Sequence, residues 1–110
     1  MYIYKELVTD DACKDRKSKI IHKIRKNAGL VNVFLICLAG GNDSFDIIDC
    51  SNLKQKGYPR ESLYVVGMAE GKESAIELSA QLFLSFSDRY GMTGFKKALM
   101  DGRDTLFRRY

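Results

Sequence analysis

Residues 63–90 read LYVVGMAEGKESAIELSAQLFLSFSDRY, and the fold turns on them. Leu63, Tyr64, Val65 and Val66 are apolar, mostly branched or aromatic, as strands favour. Glycines at 67 and 71 punctuate that run, and from Lys72 onward the apolar spacing becomes that of a helix. On a helical wheel Ala75, Ile76, Ala80, Leu82, Phe83, Phe86 and Tyr90 share one broad arc. Glu73, Glu77, Gln81 and Asp88 fall opposite, so one face seeks a core and the other seeks water. A strand feeding an amphipathic helix is half of a layered α/β unit.

Upstream, LVNVFLICLA at 30–39 is almost unbroken apolar sequence, which predicts a strand covered on both faces. Gly40-Gly41-Asn42-Asp43 then signals a tight turn, and residues 44–50 return as a second strand. A register in which paired residue numbers sum to 83 sets Leu38 against Phe45, Ile36 against Ile47 and Phe34 against Asp49. On the other face it sets Val33 against Cys50, Leu35 against Ile48 and Cys37 against Asp46. Both faces are then largely apolar. With the two long helices assigned to one face, the second is left for the C-terminal segment or for another subunit. That segment offers only Phe95, Ala98, Leu99, Leu106 and Phe107, so a homo-oligomer is expected.

Further upstream, Thr9, Asp10 and Asp11 offer caps for a helix of about 17 residues. Cys13, Ile20, Ile21, Ile24 and Ala28 share its apolar face, and Gly29 stands where a terminating glycine belongs. Lys17 lies in that arc, its stem over apolar surface and its head in water. Residues 1–7 alternate loosely, as a short edge strand does. Downstream, Thr93 caps a short last helix that Gly102 breaks, and the tail after it is expected to fray.

The 110 residues suit one domain, 1–110, with a single core. An apolar fraction of 45% and a charged fraction of 29% exclude global disorder. No apolar run reaches the length of a membrane span, and the first residues lack a signal-peptide layout. Cys13, Cys37 and Cys50 are odd in number and scattered, which fits reduced thiols in a cytoplasmic protein rather than a disulfide framework or a zinc site. Neither a membrane partner nor a cofactor is expected.

The formal net charge is +4, but it is concentrated. Residues 14–26 hold seven Lys or Arg and one Asp, while the rest of the chain carries 11 basic and 13 acidic residues. Any electrostatic partner is therefore sought at this segment. Arg16, Lys19, Lys23 and Lys26, spaced three, four and three apart, form a basic ridge suited to nucleic acid or another polyanion. No aromatic residues interleave to stack bases. His22, the one histidine, sits on the polar side and reads as a surface residue.

The passages MYIYKEL, KIIHKIRKN and LYVVGMAEGKESAIEL together resemble a group of small bacterial proteins of unknown function from low-GC Gram-positive species. Those proteins carry a comparable VVGxAxGxxxAxEL passage before their last long helix. The likeness spans residues 2–90 and implies no activity.

Two patterns bear on chemistry. Gly67 to Ser74 lies where a phosphate-binding loop belongs, but only three residues separate its glycines and Glu73 follows the lysine. Asp46 or Asp49, with Glu70 and Lys72, resembles the acid and Glu-x-Lys metal signature of restriction-endonuclease-like nucleases. There two carboxylates hold Mg²⁺ and the lysine orients water. The glycine between Glu70 and Lys72 tells against a shared direction. The expectation is an α+β two-layer domain in the order (β)-α-β-β-β-α, with a three- to four-stranded sheet and a short C-terminal helix. It is expected to be a cytoplasmic, non-enzymatic binding module that self-associates, with a metal-dependent nuclease as the alternative.

Overall fold

The computed structural model describes residues 1–40, 43–91 and 94–110. Its order is β1 (Tyr2–Thr9), a 3-10 turn (Lys14–Arg16), α1 (Lys17–Arg25), β2 (Val33–Leu38), β3 (Phe45–Asp49), two further 3-10 turns (Cys50–Lys54 and Arg60–Ser62), β4 (Tyr64–Glu70), α2 (Lys72–Tyr90), α3 (Phe95–Asp101), α4 (Arg103–Leu106) and β5 (Phe107–Arg109). This is an α+β fold with one five-stranded mixed sheet, ordered β3-β2-β4-β1-β5. Strands β1 and β4 run parallel, and the other neighbours are antiparallel.

The β2–β3 hairpin has the expected register, with Leu38 opposite Phe45, Ile36 opposite Ile47 and Phe34 opposite Asp49. Cys50 instead begins a 3-10 turn whose second amide, at Ser51, donates to the capping Asp49 carboxylate at 3.0 Å. The Gly40–Asp43 turn includes two residues, Gly41 and Asn42, outside the described ones. So does the proposed cap Thr93.

The edge-strand reading of the N-terminus is corrected: β1 lies inside the sheet, between β4 and β5. The tail, expected to fray, takes regular structure. It forms α4 and then β5, whose Phe107 pairs with Tyr4, and the Tyr110 amide reaches the Met1 carbonyl at 2.7 Å. Between Ile3 and Val8 the β1–β4 register slips through an irregularity. The Lys17 ammonium donates to the Leu7 carbonyl there, at 3.1 Å, so its head is not left to water alone.

The two-layer expectation is also corrected, because side chains alternate across β2 and each face has its own cover. Val33, Leu35 and Cys37 pack with Ile3, Leu7, Val65 and Met68 under Ile20 and Ile24 of α1, with Cys50 and Leu53 beside them. Ile36 packs on the other face with Tyr4, Val66 and Ala69 under Ala75, Leu78, Leu82 and Phe86 of α2, joined by Phe95, Leu99 and Phe107. Three layers result. The helices divide between the faces rather than sharing one, so the argument that a sheet face awaits another subunit loses its premise. Among the described residues the large exposed apolar side chains are Val31, Ile76, Phe83 and Leu84, none of them on the sheet.

The first helix is shorter than its periodicity predicts, with a 3-10 turn before Lys17 and an end at Arg25. Asn27, not Gly29, terminates it. Its φ is 56°, its amide reaches the Ile24 carbonyl at 3.0 Å, and the Ala28 amide reaches that of Lys23 at 2.9 Å. That pair of bonds is a Schellman ending. On α2, Leu78 joins the core while Ile76, Ala80 and Phe83 turn outward, against the expected arc. Apolar residues spread over more than half of the helix surface, and the sheet decides which of them are buried. At Gly67 an added Cβ would stand 3.0 Å from Leu82 Cδ1 and 3.2 Å from Ile36 Cδ1, so α2 settles where that strand has no side chain.

Candidate functional site

Strand β1 leads toward α1 on one face of the sheet, and β4 leads into α2 on the other. Beyond the carboxyl ends of two such parallel strands a crevice opens, the usual ligand position in open α/β sheets. Here it is a cleft of about 520 Å³ lined by Thr9, Asp10, Asp11, Glu70, Ser74 and Glu77, with Gln81 at its side.

Asp10 is its organising group. One carboxylate oxygen accepts from the Cys13 amide at 3.0 Å, which closes the turn ahead of the 3-10 segment. The helix itself starts from Arg16 with no side-chain cap, contrary to the expected capping by Thr9, Asp10 or Asp11. The other accepts from the Glu70 amide at 3.0 Å and the Ser74 hydroxyl at 2.7 Å. Burial raises the pKa of Asp10, but the donors on its two oxygens outweigh that and hold it below the usual carboxylate value. The chain's own carboxylate thus fills the place before α2 where the glycine loop would have offered phosphate its donors. The Gly71 amide is also engaged, on the Asn32 carbonyl at 2.8 Å. Asp10 is a joint between β1, β4 and α2, fixed in its ionised form and unsuited to proton transfer.

The nuclease residues are not brought together. Asp49 pairs with Phe34 and Glu70 with Val33, neighbouring positions on β2 whose side chains point to opposite faces. Asp46 shares the Glu70 face but lies in the row of Cys37 and Val65, at the other end of the strands. The Asp49 carboxylate is spent on Ser51, and Glu70 is 3.6 Å from Arg16. Lys72 is exposed at the start of α2. Among the described residues no group of three His, Cys, Asp or Glu side chains is placed to hold a metal ion.

The basic ridge is rearranged rather than lost. Arg16 leaves it for the 3-10 turn and its half-exposed pair with Glu70. Lys19, Lys23 and Lys26 stay exposed on the outer side of α1, and none of them is in an ion pair among the described residues. Arg25, on the flank, lies 5.7 Å from the Tyr110 ring centre and holds the chain end to the helix.

At the carboxyl end of α1 the structure adds what the sequence did not reveal. Arg60 donates to the Asn27 side chain at 3.2 Å and to the Ile24 carbonyl. Lys54 Nζ lies near Gly29. With Lys56 these residues line a shallow cleft of about 680 Å³ between the helix end and residues 53–62. No periodicity in that polar connection could have announced its place; only the cations themselves were visible.

Compared with protein-family models, curated proteins and solved structures, the chain matches none. Among the described residues no helix is long and apolar enough to cross a membrane.

Proposed function

We propose that this protein is a non-enzymatic, cytoplasmic binding module that contacts a polyanion, with nucleic acid as the type ligand, through the outer side of α1. The observation that carries the reading is the line of Lys19, Lys23 and Lys26, exposed and without ion pairs among the described residues, ending beside a cleft that holds Lys54, Lys56 and Arg60. Charges on a rigid helix attract a phosphate backbone and release its counterions, without reading sequence. Three free buried thiols support a reducing compartment.

The test is fluorescence anisotropy of labelled duplex DNA and RNA over a salt series. Three phosphate contacts alone give a logarithmic slope of about −2.7, roughly a 40-fold loss of affinity between about 50 and 200 mM salt. Replacing Lys19, Lys23 and Lys26 together with Gln removes that share of the slope and leaves the fold intact. An unchanged slope, or no binding at low salt, refutes the reading.

A further inference from the structure

The outer side of α2 carries one row of residues spaced four apart: Lys72, Ile76, Ala80, Leu84 and Asp88. All five are exposed, Ile76 at 50% and Leu84 at 69%, so among the described residues none buries this row. The row is its own complement when reversed. About Ala80 as centre, an antiparallel copy sets Lys72 against Asp88, Ile76 against Leu84 and Ala80 against itself. We propose that a second copy of this chain docks here, α2 against α2, about a two-fold axis passing by Ala80.

Packing geometry suits this pairing. Residues four apart form an inclined ridge on a helix surface, and two such ridges run alongside each other when the helices cross at about −50°. The smallest side chain of the row lies at the crossing, where the backbones come closest. The larger Ile76 and Leu84 flank it, and the charges close the two ends. Phe83, 38% exposed and set edge-on against Phe95, widens the apolar strip.

The charges give an independent argument. Lys72 stands at the amino end of α2 and Asp88 near its carboxyl end, each opposed to the helix dipole. Neither is in an ion pair among the described residues. Stability of a lone helix does not account for that layout, whereas an antiparallel partner gives each charge its opposite. A parallel pairing would set Lys72 against Lys72 and Asp88 against Asp88. Glu73 and Glu77 meet Ser87 and Phe83 of the copy, so the two-fold brings no like charges together.

One helix face is smaller than the roughly 800 Å² per partner of a standard stable interface, so the dimer is expected to be concentration-dependent. α1 lies on the opposite side of the sheet, and polyanion binding stands or falls separately.

Sedimentation equilibrium of the full chain from about 5 to 500 μM, a span chosen for so small an interface, tests the proposal. The expected result is a rising average mass, abolished by Leu84→Glu. Lys72→Asp alone and Asp88→Lys alone weaken association, and the two together restore it, since the exchanged charges meet again across the axis. As a second readout, Ala80→Cys forms an intermolecular disulfide under mild oxidation, while the native thiols are buried and stay silent. A monomer throughout the range overturns the proposal. So does a dimer untouched by Leu84→Glu, or a charge exchange that fails to rescue.

Discussion

The Asp10 carboxylate accepts a 2.7 Å hydrogen bond from the Ser74 hydroxyl, joining the end of β1 to the first turn of α2 across the carboxyl ends of two parallel strands. The same group takes the Glu70 and Cys13 amides, so one side chain fixes the departure of both helices from the sheet. A negative charge near the amino end of α2 also suits the helix dipole. The crevice is consequently built around an internal anion.

Asp10→Asn should cost roughly 1–3 kcal/mol at neutral pH, the usual effect of disturbing a charge-assisted, partly buried hydrogen-bond group. The folded-state pKa of Asp10 lies below its ordinary value of 3.8. Its ionised form therefore contributes stability above that value, and the contribution fades as pH falls through the lower folded pKa. Urea titrations at several pH values should show wild type and variant converging in acid. Equal gaps at neutral and acid pH would assign the effect to shape rather than charge.

Gly67→Ala should destabilise by about 1–3 kcal/mol, as overpacking does. The added carbon would meet Leu82 Cδ1 at 3.0 Å, and behind it the Val8 carbonyl at 3.2 Å, which is backbone and cannot swing away. Trimming Leu82 in the same molecule should recover part of the loss. A double-mutant cycle by thermal or urea unfolding measures the coupling, and strict additivity would mean that α2 does not rest on this glycine.

The end of α1 distinguishes two nearby residues. Asn27 has a φ of 56°, so Asn27→Ala should cost about 1 kcal/mol, and Asn27→Gly should cost less. Gly29 has no positive φ, and its added carbon would meet only the Lys54 ammonium, at 3.4 Å. Gly29→Ala should be neutral within a few tenths of a kcal/mol, or slightly stabilising. Reversal of that order in urea midpoints would return the helix stop to Gly29.

All three thiols are buried, and burial pushes Cys13 and Cys50 up to about 12 and Cys37 higher still. Native protein at mildly alkaline pH should react with a thiol-titrating disulfide reagent only at the rate of opening, whereas denatured protein should react at three sites at once. A fast native phase of one thiol would reveal a local opening near that cysteine.

The hairpin was legible because its information is local: an apolar strand, a turn and a returning strand whose register follows from the turn. The placing of β1 was not. Its neighbours are β4 and β5, and nothing in residues 1–7 announces a partner at the far end of the chain. The helix faces failed for a different reason. Ile76, Phe83 and Leu84 are as apolar as Leu78 and Leu82, and the row that goes inward is the one that meets the sheet, with Leu82 against Gly67. Of the candidate sites, the basic ridge survived as a line on one helix, because three- and four-residue spacing is itself local geometry. The nuclease residues lie on different strands, where register and facing, both non-local, had to agree and did not.

Strand β1 is made before β4 and β5, yet hydrogen-bonds to both. During synthesis it emerges as an apolar strand with two open edges, and the ladder that closes it last requires Arg109 to meet Tyr2. Folding can therefore complete only when the final residues of this stretch have left the ribosome. Until then the longer strand β1 itself keeps an unpaired edge, a feature apt to recruit a neighbouring nascent chain or a chaperone.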